Sequence, residues 1–390
     1  MIKKLRFIIF MVLLGLALGI AGRSVNSDFV KSWFDWETKP PIIEIPEGGV
    51  KSDEWSLLSF KLMAELQPDG FVFSPLGLNI TLRDLQSIAD EPTSKLIDSM
   101  HLPSIEGAED RTSPAVGFSR LIVDNQIDCQ QEASVLKLPL SSDRAKAFKS
   151  LHMQMVQSIE TSFDYPISNA MISRDAKLVG FTLIEQDLDW FYPAAHESGS
   201  YIEFQTAKGS TQMLDALTLQ ARCMHADLYD AYAITLKGEV ESSKVSCLLL
   251  IMPKFDPLPD FIKRLDSKEL NRIKESLIQC EPSSEINLKL PIFQSIGQTT
   301  SMRPLLTKMG LAHLFESDVI FPQLCEQPLN LEELWHSANF KVQASDKSLL
   351  PFKSKAEARA VKEIDRPFIW MVGDLNSSEC PSLMGSVPIL

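Results

Sequence analysis

The chain has 390 residues, 45% of them hydrophobic, with 51 acidic against 38 basic side chains and a formal net charge of −13. So acidic a chain offers no basic face to phosphates, which excludes nucleic acid as a partner. Its length exceeds the usual single core, yet no Gly/Ser-rich linker, low-complexity run or evident repeat divides it.

In chain order, Lys3, Lys4 and Arg6 precede a hydrophobic run from Phe7 to Ile20. The run is short for a membrane span and has the layout of a secretory signal, expected over residues 1–21. An uncleaved N-terminal anchor is the alternative. Cleavage would remove three positive charges and take the net charge from −13 to −16. Residues 22–52, with Pro40, Pro41, Pro46 and paired glycines, read as a stalk. The folded body is expected over 53–390, and no other segment could cross a membrane.

Ser52-Asp53-Glu54-Trp55 caps a helix that runs to Leu66 and stops at Pro68-Asp69-Gly70. Ser74-Pro75 is an N-cap and N1 pair for a helix to about Ala89. A shorter helix starts at Thr93 and is closed by Pro103, and Ala145–Ser158 is helical with Phe148, Leu151 and Met155 on one face. From Leu178 onward the pattern turns to strands: Val179–Leu183, Tyr201–Phe204, Ala231–Leu236 and Lys244–Met252. Leu258–Cys280 returns to helix, Ile286–Phe293 to strand, Met302–Leu314 to helix, and Glu333–Val342 is extended. Phe368–Val372 is short and apolar enough for a buried strand. With the turn at Asp374–Ser378 and the run from Leu383 it predicts an antiparallel pair. The fold class that follows is α+β with large antiparallel sheets.

The residues of an enzyme are missing. There is no G-x-S-x-G, G-x-G-x-x-G, P-loop or H-E-x-x-H. Of the six histidines none stands at i, i+4 from another, and His313 and His336 read as half-buried structural residues. Asp187 and Asp189 read as solvated loop carboxylates. No catalytic residue, cofactor or metal is expected. The six cysteines, at 129, 223, 247, 280, 325 and 380, show no C-x-x-C or metal-like spacing. Export would permit disulfides, but their pairing is open at this stage, and Cys247 inside an apolar strand reads as a buried free thiol.

Several segments, in order, resemble the serpin family. Phe71-Val72-Phe73-Ser74-Pro75-Leu76 is similar to its F-S-P helix entry, and Trp190 to its Trp after a core strand. Gly209–Leu214 is similar to its T-x-x-V-x-M-M segment, and Ser246–Pro253 to its S-M-L-I-I-L-P strand. Leu288–Phe293 with Leu305–Phe315 resembles the L-P-K-F and L-x-x-L-G pair, and Asp365-Arg366-Pro367-Phe368 with Met384-Gly385 the family's C-terminus. The resemblance covers roughly residues 53–388. It implies several helices around three mostly antiparallel sheets, and a monomer that faces a serine protease with an exposed reactive loop. Lys353, Lys355 and Arg359 are then candidate scissile-bond residues for a trypsin-like enzyme, and Ala344, Ser345, Asp346 and Lys347 stand at the loop hinge.

The hinge departs from the family pattern. Inhibitory members carry E-x-G-(T/S)-E-A-A-A-A there, so that small side chains can slide into the main sheet. Val342-Gln343-Ala344-Ser345-Asp346-Lys347 lacks the Gly and the alanine run, and Pro351 lacks a strand N–H. The segment from Val342 to Asp365 is also about ten residues short of the inhibitory pattern. The helix that crosses the main sheet in the family looks truncated over Thr161–Lys177, and Arg83-Asp84 reads either as a solvated pair on a shifted face or as a match offset by one residue. Two readings stay open: a secreted (extracellular or periplasmic) protease-facing serpin in which loop insertion is impaired, or a non-inhibitory serpin-fold binder of a partner protein or ligand.

Overall fold

Helix caps follow the sequence closely. The computed structural model describes residues 52–103, 115–130, 135–158, 171–173, 175–188, 190, 194, 200–236, 246–280, 286–296, 299–316, 319, 321–344, 361–375 and 381–387. The expected signal and nearly all the stalk lie outside this set, as do loop residues Ser345, Asp346, Lys347, Lys353, Lys355 and Arg359. Of the cross-sheet segment Thr161–Lys177, only 171–173 and 175–177 lie within it.

Helix α1 is Ser52–Leu66 and α2 is Pro75–Ile88, where Ser74 Oγ accepts from Gly77 N–H and Pro75 fills the first turn. Asp90 caps α3 (Glu91–Asp98), two residues ahead of the expected start at Thr93, by accepting from Thr93 N–H. Helix α4 is Arg144–Ser158. The expected helix Leu258–Cys280 is two helices, α5 (Leu258–Arg264) and α6 (Ser267–Ile278), because Asp266 turns out of the helix and caps the second. Likewise Met302–Leu314 is broken into α7 (Arg303–Lys308) and a 3-10 turn at Ala312–Phe315. Gly310 between them has φ +89, a left-handed geometry natural to glycine.

In chain order the strands are β1 Phe71–Phe73, β2 Ala115–Asp124, β3 Val135–Leu138, β4 Leu178–Asp187, β5 Tyr201–Gln205, β6 Thr211–His225 and β7 Tyr229–Thr235. They continue as β8 Ser246–Pro253, β9 Ile286–Pro291, β10 Gln294–Ile296, β11 Thr300–Ser301, β12 Leu331–Lys341, β13 Val361–Glu363, β14 Phe368–Asp374 and β15 Leu383–Val387. One sheet of six runs β10-β12-β4-β2-β3 with β11 on β12. The other nine strands run β1-β15-β14-β8-β7-β6-β9-β13, with β5 on β6. Within the nine-stranded ladder the long β6 serves twice, so the sheets of the expected fold are joined through it. Its first part pairs with β5 and β9, and Arg222–His225 pair with β7.

The predicted C-terminal pair is present: β14 and β15 are antiparallel, Trp370 opposite Gly385, and β14 also lies against β8. A Cβ on Gly385 would stand 2.5 Å from the Trp370 ring and 2.6 Å from Phe71 O, so only glycine fits there. Between the sheets, Trp370 stacks on Phe340 of β12 at 4.0 Å and 15°, and Phe293 meets Phe368 edge-on at 5.6 Å. A second apolar cluster joins α1, α2 and α5–α7 to the sheets, and a third lies under α4 with Phe181, Leu183 and Leu151.

Arg83-Asp84 is not a solvated pair. Arg83 reaches back to Asn79 Oδ1 (3.0 Å) and to the carbonyl of Pro103 (2.8 Å), while Asp84 is largely buried near Arg120.

Candidate functional site

The six-stranded sheet has a parallel seam in its middle, besides the parallel β2–β3 pair at its edge. β12 and β4 pair from Leu331 opposite Leu178 to Lys341 opposite Asp187, whereas β2 runs antiparallel along the far side of β4. Side chains alternate across a strand. Along β12, Leu334, His336, Ala338 and Phe340 face the sheet-to-sheet and helix cores, and Trp335 faces the cluster under α4. Both faces of the seam are therefore covered, as a parallel pairing requires.

A polar cluster sits on the inner face of the seam. His336, 2% exposed, accepts Ser74 N–H at its Nε2 (3.0 Å). Ser74 Oγ donates to Ser382 O (2.6 Å), and Ser382 Oγ donates to Gln186. Thr81 of α2 meets Thr182 of β4 at 2.6 Å and Ser119 of β2 at 2.9 Å. A Cβ on Gly77 would lie 2.8 Å from Ile184 and Thr182, so α2 approaches β4 closely. Burial holds the His336 imidazole down at about 3, so it is neutral and free to accept the amide. At the start of β12, burial raises the Glu333 carboxyl despite hydrogen bonds from Ser301 Oγ and Leu334 N–H.

Where the seam ends, β12 is pinned. Val342 N–H donates to Phe293 O (2.9 Å), and Trp190 Nε1 donates to Gln343 O (2.9 Å). Ala344, the one hinge residue within the described set, packs half-buried against the same apolar cluster as Trp190 and Val342. The chain re-enters at β13, three exposed residues parallel to β9. Glu363 pairs with Lys289 at 3.1 Å, Ile364 is buried, and Asp365 O accepts Gln205 N–H at 2.7 Å. Residues 345–360 thus connect a pinned strand end on one sheet to an edge strand on the other.

This arrangement can be set beside known proteins. A family model described as Serpin (serine protease inhibitor) matches residues 124–388, well over half of the chain. The chain belongs to the serpin family. Among solved structures it is similar to native protease nexin-1 with heparin (TM-score 0.71, 18% identity, covering 87% of this chain and 98% of that one). It is also similar to maspin (TM-score 0.71, 15% identity, 87% and 97%) and to a tumour-suppressing serpin solved at 2.1 Å (TM-score 0.70, 14% identity, 87% and 98%). A comparison with curated protein sequences found no match. At these identities the structural likenesses speak to the fold.

In this serpin Trp190 and the expected hinge residue Ala344 lie together at the end of β12, and Asp365 follows β13 where the chain re-enters. The polar cluster was missed: Ser74 reads in sequence as a helix cap alone, and His336 as half-buried. The available signal was alternation, since His336 falls in phase with Leu334, Ala338 and Phe340 and so must point inward.

Proposed function

We propose that this serpin is exported by its 1–21 leader, presents residues 345–360 to a serine protease of trypsin-like specificity, and is cut there without trapping the enzyme by loop insertion. The observation that carries this reading is the seam itself, closed by β4–β12 pairing and covered on both faces. A strand entering between β4 and β12 would send consecutive residues to opposite faces. Asp346 would then meet one covered face and Lys347 the other, and an unpaired buried charge is costly. Pro351 would leave one rung of the new ladder without a donor. Lys353, Lys355 and Arg359 are the proposed cleavage positions.

The test is incubation with trypsin-like proteases followed by denaturing electrophoresis. Cleavage after one of those three residues is expected, with no SDS-stable complex and little gain in thermal stability. A stable high-mass band, or a rise of tens of degrees after the cut, would overturn the non-trapping reading. An intact loop under conditions that cleave an unfolded chain would favour the alternative, a non-inhibitory binder of a partner protein or ligand.

A further inference from the structure

The two cysteines that flank the start of the seam are held side by side by the backbone. Gln130 N–H donates to Leu324 O at 2.9 Å, so the Cys129–Gln130 peptide unit is hydrogen-bonded to the Leu324–Cys325 unit. Hydrogen-bonded peptide units lie about 4.8 Å apart and consecutive Cα atoms about 3.8 Å. The Cys129 and Cys325 Cα atoms are then roughly 4.5 Å apart if the two segments run antiparallel and about 6 Å apart if they run parallel, both within the roughly 4.4–6.8 Å that disulfides span. Both side chains also meet the same apolar cluster. Cys325, 5% exposed, belongs to the helix-side apolar cluster, and half-buried Cys129 packs against that cluster. Gln327 N–H points at Cys325 Sγ (3.4 Å), and Lys137 Nζ donates to Cys129 O (2.6 Å), which fixes both segments.

Both thiols are free in this structure; we infer that on oxidation Cys129 and Cys325 form a disulfide that clamps the β4–β12 seam at the end where both strands begin. Topology gives the bond this meaning. Cys129 follows β2, whose Val123 lies opposite Leu178 at the start of β4, and Cys325 leads into β12, whose Leu331 lies opposite the same Leu178. The covalent link therefore passes from one side of β4 to the other and spans the seam. At the far end the described contacts are non-covalent: β10 pairs with β12, and Trp190 and Phe293 hold Gln343 and Val342 by hydrogen bonds.

Formation needs a disulfide donor such as oxidised glutathione or an oxidised protein dithiol. The partly accessible Cys129 thiolate attacks one donor sulfur and releases the other as a thiol. Cys325 then attacks Cys129 Sγ in the mixed disulfide and releases the second donor thiol. Two electrons and two thiol protons pass to the donor, which ends as two thiols.

The test uses the full chain equilibrated in oxidised glutathione, alkylated, digested and mapped by mass spectrometry without reduction. A peptide pair joined through Cys129 and Cys325 is expected. Because the bond closes a loop of roughly 200 residues, reduction should lower Tm by about 5 °C. Cys129→Ser and Cys325→Ala should each abolish that shift, whereas Cys223→Ser should keep it. Amide exchange along β12 should slow several-fold on oxidation. Alkylation of both thiols in the oxidised protein, or a Cys129 linked to any other cysteine, would overturn the assignment. Equal exchange in the two redox states would overturn the clamp. Should Cys325→Ala fail to fold, wild-type mapping and the more exposed Cys129→Ser decide the matter. The linkage is read by mass, so it stands or falls separately from the protease reading.

Discussion

Acid should weaken this serpin through one buried ring. His336 lies beneath the seam and accepts Ser74 N–H, with its imidazole held at about 3 by burial. A free histidine titrates near 6.5, so between those two values the unfolded chain binds a proton that the folded protein refuses. The folded value is the lower one. Its contribution is therefore complete above about pH 6.5 and is lost as pH falls toward 3, at up to about 1.4 kcal/mol per unit. Between pH 7 and pH 4 the loss from this residue amounts to about 3 kcal/mol, an upper figure because local rearrangement would relieve part of it. His336→Gln keeps an acceptor for Ser74 but cannot titrate. Urea midpoints measured for both proteins at pH 7, 5.5 and 4 should diverge, with the wild type falling more steeply by that amount. The carboxylates common to both proteins cancel in the comparison. Parallel pH dependences, or an NMR titration of the His336 ring near 6.5, would refute the buried neutral acceptor.

Two further outcomes follow from the core. Burial pushes the Asp84 carboxyl up to about 6 against the opposing pull of Arg120, and here the folded value is the higher one. Its penalty is absent below about pH 4 and grows as pH rises through 6, so Asp84→Asn should stabilise by about 1–3 kcal/mol at pH 8 and by almost nothing at pH 4, read from urea midpoints. Gly385→Ala should cost at least about 2 kcal/mol, because its Cβ would be driven into the Trp370 ring and Phe71 O; a neutral substitution in thermal melts would show that β1 and β14 yield more than their packing implies.

Local chemistry made much of the scaffold legible. Ser74-Pro75 announces the start of α2, and the runs Phe368–Val372 and Leu383–Val387 announce two buried strands because their residues leave no polar face. Cys247 is the buried thiol its apolar strand implied, and burial pushes it up to about 12. Strand β2 was not legible. Its core stretch Leu121-Ile122-Val123 is buried on both faces and shows no alternation, while Gly117 and Arg120 interrupt the apolar pattern. Single caps decided the other differences, Asp266 between α5 and α6 and Gly310 after α7. At the site, the residues near the loop ends were readable from order along the chain. The Ser74–His336 contact was not, since its partners stand 262 positions apart and neither has a local pattern that names the other.

The way the chain re-enters after residue 360 has a practical consequence for a nicked molecule. Everything beyond a cut in 345–360 carries β13, β14 and β15, and β14 lies between β15 and β8 with Trp370 stacked on Phe340 of the larger fragment. The smaller fragment is thus an interior part of the protein rather than a tail. It should stay bound through native chromatography and separate only in denaturant, so proteolysis of this serpin is visible on a denaturing gel and silent in its native size.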